Sequence, residues 1–298
     1  MMHRFVAFGL AVLASASLDF SLQTQSRPPE GSARTRDIYV SVVDSKGVPV
    51  PGLSAADFVV REDGSAREVL KAGPATAPMQ IIVLIDDSEA ATNAIQRIRE
   101  GLTAFVDKLQ GRAEIGLVTI GERPTSLVQY TTDTAALKKG INRLFARPGA
   151  GAYLLEGIQE VSRGLEKREA ARPVIVALTT EGVEFSNLQH DQVLKQLQAS
   201  GAAFHVVAIG MPSSSMSDEM RNRNVVLAEG TERTGGRRDQ LLAESSIPEA
   251  LPRVANELLN QYVVTYGRPE KLIPPERIQV SVSRPGVTVR ARTRTAGR

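Results

Sequence analysis

The segment from Met79 to Ala90, read as M-Q-I-I-V-L-I-D-D-S-E-A, constrains the fold more than any other part of the chain. Ile81 to Ile85 show no polar alternation, which predicts a strand with both faces buried under helices. Asp86, Asp87 and Ser88 follow this strand directly. Because ligands bind where the strands of an open parallel sheet end, these oxygen-bearing side chains are predicted to mark a site.

The rest of the chain divides into two kinds of pattern. Between residues 79 and 260, apolar runs alternate with helical periodicity, which predicts an α/β domain with a doubly wound, mostly parallel, Rossmann-like sheet. A short strand at 126–130 follows its predecessor too closely for a helical crossover and is predicted to be an antiparallel edge. Segments 37–72 and 261–294 alternate as antiparallel strands do. We expect these two ends to pair into one small β domain, with the α/β domain inserted between them.

The first sixteen residues predict export. His3 and Arg4 precede an apolar stretch from Phe5 to Leu13 and the triplet Ala14-Ser15-Ala16, which is the pattern of a cleaved signal peptide over residues 1–16. An uncleaved anchor is the alternative, although the stretch is short for a membrane span. Residues 17–36 are predicted to be a flexible linker. No second hydrophobic span follows, so we expect a mature chain without a transmembrane helix, in the periplasm or outside the cell.

Composition argues against several classes of function. With 36 basic and 33 acidic residues the net charge is only +3, so nucleic acid is not an expected partner. The chain has no cysteine, which excludes disulfides and thiolate zinc sites. Gly149-Ala150-Gly151 follows a helix instead of the first strand, so no nucleotide is expected there. His205 lies in an apolar strand and is expected to be a satisfied, partly buried imidazole, and the serine-rich segment from Met211 to Ser217 is expected to be a loop.

A row of arginines lies near the C-terminus. Arg290, Arg292 and Arg294 share one face if the segment is a strand. The row is either a solvated edge that prevents aggregation or a surface for an acidic partner or an anionic membrane.

The order of elements and the Asp-x-Ser at the end of the first buried strand resemble a von Willebrand factor type A domain. V-S-V-V-D-S-K-G-V-P-V-P-G and Q-Y-V-V-T-Y in the flanks resemble an exported bacterial subgroup of that family, and the resemblance covers roughly residues 37 to 294. It implies a site in which five side chains hold a metal ion that a partner carboxylate completes. These ligands are an Asp and two Ser from an Asp-x-Ser-x-Ser loop, a Thr from a later loop, and an Asp after the fourth strand.

Only two of these five positions match with certainty. Asp86 and Ser88 match the first Asp and the first Ser, whereas the second Ser falls on Ala90 and the Thr on Ala152. The last Asp falls on Thr180, unless a one-residue insertion moves its role to the next residue, Glu181.

Two interpretations of this degenerate site remain open. In one, Asp86 and Ser88 hold Mg²⁺, Mn²⁺ or Ca²⁺, and Asp87, Glu89 or Glu181 compensates for the missing ligands. In the other, no cofactor binds, and Asp86 and Ser88 cap the helix that follows.

Our leading hypothesis is an exported, non-enzymatic interaction module that binds a protein partner at the strand ends. The alternatives are a structural scaffold without a ligand site and a metal-dependent hydrolase that uses Asp86 and Asp87. The hydrolase needs a further carboxylate or His at the same place. The predicted partner-binding residues are Asp86, Asp87, Ser88, Glu89, Gly151, Ala152, Tyr153, Thr180 and Glu181.

Overall fold

A computed structural model describes residues 33–211, 217–269 and 273–295 of the chain. Its strands are β1 (Ala33–Val43), β2 (Phe58–Glu62), β3 (Ser65–Arg67), β4 (Val69–Pro74), β5 (Met79–Ile85), β6 (Ala113–Thr119), β7 (Thr125–Thr131), β8 (Pro173–Thr180), β9 (Ala203–Ile209), β10 (Arg238–Leu241), β11 (Tyr262–Pro269), β12 (Ile278–Val282) and β13 (Thr288–Ala291). Its helices are α1 (Ile95–Lys108), α2 (Thr134–Ile141), α3 (Leu154–Lys167), α4 (His190–Ala199), α5 (Asp218–Thr234) and α6 (Ile247–Leu259). The signal peptide predicted over residues 1–16 lies outside the described residues.

The α/β domain is built on a six-stranded sheet in the order β10-β9-β8-β5-β6-β7. Its strands run parallel except β7, which pairs antiparallel to β6 at the edge. The predicted parallel sheet and its antiparallel edge are therefore confirmed. β10 was not predicted, because its four residues, R-D-Q-L, have neither an apolar run nor a clear alternation.

Helices cover both faces of this sheet, as the apolar run of β5 requires. Alternate residues of a strand point to opposite faces. Ile81 and Val83 pack with α1, α2 and α6 on one side, and Ile82 and Leu84 pack with α3, α4 and α5 on the other. Neither face of β5 is open to water, so a ligand can reach this strand only at its ends.

The two ends of the chain pair, as predicted. β1 is antiparallel to β11 and to β13, and β4 joins them in a four-stranded sheet of order β13-β1-β11-β4. β12, β2 and β3 form a separate three-stranded sheet, and both sheets share one apolar core. β1 begins at Ala33, so residues 33–36 belong to a strand and not to the predicted linker.

The C-terminal arginines contact the α/β domain. Arg290 lies 3.6 Å from a carboxylate oxygen of Glu257 in α6, and Arg292 donates to the carbonyl of Gly201 beyond α4. Both interpretations of this row as a free surface are therefore wrong for Arg290 and Arg292. Arg294 is exposed.

Arg172 forms hydrogen bonds with both segments that connect the α/β domain to the β domain. Its buried guanidinium donates to the carbonyls of Ala75 and Ala77, which lie between β4 and β5. It also donates to the carbonyl of Leu258 in α6 and, over 2.7 Å, to the side chain of Gln261 before β11. Burial lowers the pKa of Arg172 to about 10.

Replacing Arg172 should therefore destabilise the whole chain. We expect Arg172→Met to lower the free energy of unfolding by about 2–4 kcal/mol, because several buried acceptors lose their donor together. Arg168→Met is the control, since half-exposed Arg168 pairs with Glu114 at the surface and its loss should cost under about 1 kcal/mol. Urea unfolding measures both, and equal losses for the two variants would contradict this role of Arg172.

Candidate functional site

The site lies where β5 and β8 end side by side. The two strands are parallel neighbours, with Ile85 opposite Leu178, and the backbone N–H of Asp86 donates to the carbonyl of Leu178 over 2.9 Å. Asp86 and Thr180 therefore leave the sheet next to each other. These two residues are 94 positions apart in the sequence, so their contact comes only from the pairing of the two strands.

Asp86 is held by three donors from the protein. Its Oδ2 accepts from the hydroxyl of Thr180 over 2.6 Å and from the backbone N–H of Thr180 over 2.8 Å. Its Oδ1 accepts from the backbone N–H of Ser88 over 3.0 Å. The side chain is only 1% exposed. A buried carboxylate is tolerated when hydrogen bonds replace its water, and these donors do so without a cation.

Asp87 points away from Asp86 toward a different set of donors. Its Oδ1 accepts from the N–H of Gly121 over 2.6 Å and its Oδ2 from Nε of Arg147 over 2.8 Å. A Cβ at position 121 would lie 2.6 Å from Asp87 Oδ1, so this approach requires glycine. Arg147 also donates to Glu122 over 3.0 Å. The bond to Asp87 raises the pKa of Arg147 above its ordinary value.

Glu181 pairs with a buried arginine from α5. Arg223 Nη1 donates to Glu181 Oε2 over 3.1 Å, while Nη2 donates to the carbonyl of Thr180 over 3.0 Å and to Thr179 Oγ1 over 3.2 Å. Glu181 is thus directed toward α5 and satisfied there. It does not take the role of the missing Asp beside Asp86.

The two alanines at family ligand positions make packing and backbone contacts. Ala90 lies so close to Gly182 that a Cβ on residue 182 would be 2.5 Å from that of Ala90. Ala152 donates to the carbonyl of Val183 over 2.8 Å and accepts from the N–H of Phe185 over 2.7 Å. The loops that follow α2 and β8 are thereby joined by backbone hydrogen bonds.

The side chains at these strand ends offer few free oxygen ligands for a metal ion. The described residues contain no group of three or more His, Cys, Asp or Glu side chains that could hold a metal. Mg²⁺ requires near-octahedral oxygen ligation, whereas both Asp86 oxygens are engaged and Ala90 and Ala152 offer none. The guanidinium of Arg147 beside Asp87 adds a positive charge where a cation would have to bind. These side chains do not fit a divalent ion.

The helix-capping interpretation is wrong. The short 3-10 turn after Ser88 receives no side-chain hydrogen bond from it, and α1 begins only at Ile95, where Ala94 offers no capping side chain. Asp86 instead binds across the sheet to Thr180. Its role is to join two strand ends.

Six of the nine predicted partner-binding residues are buried. Glu89 is exposed, and Tyr153 and Glu181 are partly exposed. Asp86, Asp87, Ser88, Gly151, Ala152 and Thr180 lie beneath the surface. The structure therefore brings the predicted residues together but places most of them under the surface that a partner can touch.

Large apolar side chains surround this buried centre. β8, β9 and β10 are parallel, so the loops that follow them lie at the same edge of the sheet. The ring centroid of exposed Phe145 lies 5.9 Å from the guanidinium of Arg147. Within the described residues, the exposed large apolar side chains that follow β8, β9 and β10 are Val183, Phe185, Met211 and Leu242, and Phe145 lies in the loop after α2. Exposed apolar side chains at one edge of a sheet are typical of interaction surfaces.

Glu184 is a buried acid that the sequence did not reveal. Its Oε1 accepts from the N–H groups of Ser186 and Leu155, over 3.2 and 3.5 Å. Its Oε2 is buried and has no hydrogen-bond partner within the described residues. Burial raises the pKa of Glu184 from its ordinary 4.5 to about 7, although the hydrogen bonds from Ser186 and the charge of Arg223 oppose the rise. Its neighbours Val183 and Phe185 are exposed, so here the acid is buried and the apolar side chains face the solvent, the reverse of the usual arrangement.

The residues that prediction missed differ in how clearly the sequence marks them. Arg147 is the single charged residue in the loop A-R-P-G-A-G, next to the expected position of the family Thr, and this placement could have indicated a role beside the carboxylates. Arg223 stands in a polar helix and Glu184 in a loop, and nothing local distinguishes them. His205 is fully buried. Its Nδ1 accepts from the N–H of Arg237, but its Nε2 has no partner within the described residues, so the imidazole is only half satisfied. Burial lowers the pKa of His205 to about 3. Of the serine-rich segment, residues 212–216 lie outside the described residues.

Comparison with known proteins agrees with the fold. Residues 81–182 match the family model of the von Willebrand factor type A domain. A UPF0353 protein of Mycolicibacterium paratuberculosis is 25% identical over 158 residues, which are 48% of this chain and 47% of that protein. The chain thus spans about half the length of this curated relative.

Two solved structures share the fold. A von Willebrand factor type A protein from Catenulispora acidiphila has a TM-score of 0.50 and 11% identity, and the match covers 90% of this chain and 75% of that one. Proximal thread matrix protein 1 from the mussel byssus, solved with a zinc-occupied metal ion-dependent adhesion site, also has a TM-score of 0.50, with 15% identity over 66% of this chain and 49% of its own.

The chain contains a von Willebrand factor type A domain, held by a β domain made from the segments on either side. Domains of this family are typically non-enzymatic and commonly mediate protein interactions.

Glu184 should make stability depend on pH in a defined window. Its folded-state pKa of about 7 lies above the ordinary 4.5, so its contribution is fully present below pH 4.5 and is lost as the pH rises through 7. A shift of this size corresponds to about 3 kcal/mol. The free energy of unfolding of the wild type should therefore decline as the pH rises from 4.5 to 8. Glu184→Gln stays neutral and should not show this part of the decline when both proteins are unfolded in urea over that range. Parallel stability profiles of the wild type and Glu184→Gln would contradict the assignment.

Proposed function

We propose that the domain is a non-enzymatic protein-binding module that needs no metal ion. The surface involved is called here the strand-end face. It is formed by the loops that follow β5, β6, α2, β8 and β10, with Met211 after β9, at the carboxyl edge of the six-stranded sheet. The observation that carries the proposal is that both carboxylate oxygens of Asp86 accept hydrogen bonds from Thr180 and Ser88, beneath a rim of exposed apolar side chains.

The buried residues and the exposed residues have different roles in this proposal. Asp86, Asp87 and Thr180 fix the loops from below, because their hydrogen bonds connect segments that are far apart in sequence. Glu89, Tyr153 and Glu181 provide the polar contacts, and the exposed apolar side chains around them provide most of the contact area. Such an arrangement of a packed apolar patch and polar groups is typical of protein interfaces.

Export belongs to the same proposal. The signal peptide predicted over residues 1–16 favours a periplasmic or extracellular location. No helix within the described residues is both long and apolar enough to cross a membrane.

The competing interpretations have less support. A hydrolase built on Asp86 and Asp87 needs the two carboxylates to converge, whereas they turn to different donors. A structural scaffold without a ligand site leaves the cluster of exposed apolar side chains at the strand-end face without a role.

The absence of an ion requirement is testable by melting. Millimolar Mg²⁺, Mn²⁺ or Ca²⁺ should leave the melting temperature of the wild type equal to that in chelator, because an ion stabilises only a native state that binds it. A variant with Ala90→Ser, Ala152→Thr and Thr180→Asp restores the family ligands and should melt higher with ion than with chelator. A reproducible rise for the wild type would contradict the proposal.

Partner contact can be mapped with a photo-reactive side chain. Phe185 and Leu70 are matched in exposure, at 48% and 47%, but Leu70 lies on β4 of the β domain. Benzoyl-phenylalanine at position 185 should cross-link to a discrete protein in cells that carry the gene, while the same group at position 70 should not. A scaffold without a ligand site predicts no cross-link at 185, and equal cross-linking at both positions would contradict the assigned face.

A further inference from the structure

The strand-end face carries an excess of negative charge. Its loops contribute seven carboxyl groups, from Asp86, Asp87, Glu89, Glu122, Glu181, Glu184 and Glu244. Two guanidiniums pair with members of this set, Arg147 with Asp87 and Glu122, and Arg223 with Glu181. Arg123 and Arg143 of these loops are also exposed and reduce the excess, but four arginines against seven carboxyl groups do not remove it.

The rim carboxylates of Glu89 and Glu122 are more accessible than the two arginines that pair with this set. The side chain of Glu122 is 64% exposed and Glu89 is exposed, whereas the side chain of Arg223 is 1% exposed and that of Arg147 is 32% exposed. Glu89 accepts only a backbone N–H, from Gly149 over 3.2 Å, and forms no ion pair within the described residues. A partner that approaches this face therefore meets the carboxylates of Glu89 and Glu122 at the rim, while the paired guanidiniums of Arg147 and Arg223 are less accessible.

Exposed apolar side chains lie next to these carboxylates. Phe145 stands beside Arg147, which binds Glu122, and Phe185 is joined by backbone hydrogen bonds to Ala152 near Glu89 and Gly149. The face thus offers apolar contact and negative charge at the same place.

We infer that the strand-end face binds a polypeptide segment that presents Lys or Arg next to apolar side chains. The inference rests on the proposed function and deepens it. The exposed carboxylates of Glu89 and Glu122 favour cationic side chains, and the exposed apolar side chains beside them favour apolar contact. Complementary charge of this kind governs partner choice and association rate more than the total affinity.

Peptide display on the immobilised full chain tests the inference without knowledge of the partner. Random peptides selected in chelator should be enriched in Lys or Arg together with apolar residues. Binding of a selected peptide to a Glu89→Lys, Glu122→Lys double variant should be about tenfold weaker, because two rim charges are reversed. The matched control is Glu166→Lys, Glu169→Lys. These exposed acids lie on α3 and in the turn after it, at the other edge of the sheet, and their reversal should leave binding unchanged.

The outcomes separate this inference from the proposed function. Enrichment of acidic peptides, with chelator or with Mg²⁺, or of no peptide, overturns the inference, and the cross-linking at position 185 then decides the proposed function independently. Basic peptides that bind the Glu89→Lys, Glu122→Lys variant as well as the wild type overturn it too. The melting temperatures of both variants show that each is folded.

Discussion

The contact between the carboxylate of Asp86 and Thr180 determines the form of this domain's surface. It joins the ends of two central strands, and both groups are buried. A buried carboxylate has to be compensated, either by a cation or by hydrogen-bond donors. Here the compensation comes from a hydroxyl and two backbone N–H groups, so the strand ends are stable without an ion. In the family pattern, position 180 carries a second acid, and the two carboxylates together would require a cation.

The remaining polar groups of the face follow from the same constraint. Asp87 is neutralised by Arg147 and Glu181 by Arg223, and each arginine comes from a distant segment. These pairs turn the carboxylates of the strand ends inward and connect the loops beneath the surface. What is left outside is a rim of apolar side chains with Glu89 and Glu122. Such a rim is suited to protein contact, and its charge distinguishes basic from acidic partners.

The fold was predictable because its signals are local. The apolar run of β5 required helices on both faces, and the alternating segments at the chain ends indicated antiparallel strands that pair. The site position was predictable for the same reason, since Asp86 directly follows β5. The donors were not, because Arg147 stands 60 residues from Asp87 and Arg223 lies 42 residues from Glu181. The arginine row at the C-terminus was misread because its partners, Glu257 and Gly201, come from the other domain.

Diffraction from crystals soaked in Mn²⁺, recorded at a wavelength where manganese scatters anomalously, tests the central claim most directly. The account predicts no anomalous peak beside Asp86, with its Oδ2 still accepting the hydroxyl hydrogen bond of Thr180, which is 2.6 Å long here. Crystals of the variant with Ala90→Ser, Ala152→Thr and Thr180→Asp should show a peak at that position. A peak in the wild type, with Thr180 turned away from Asp86, would contradict the account.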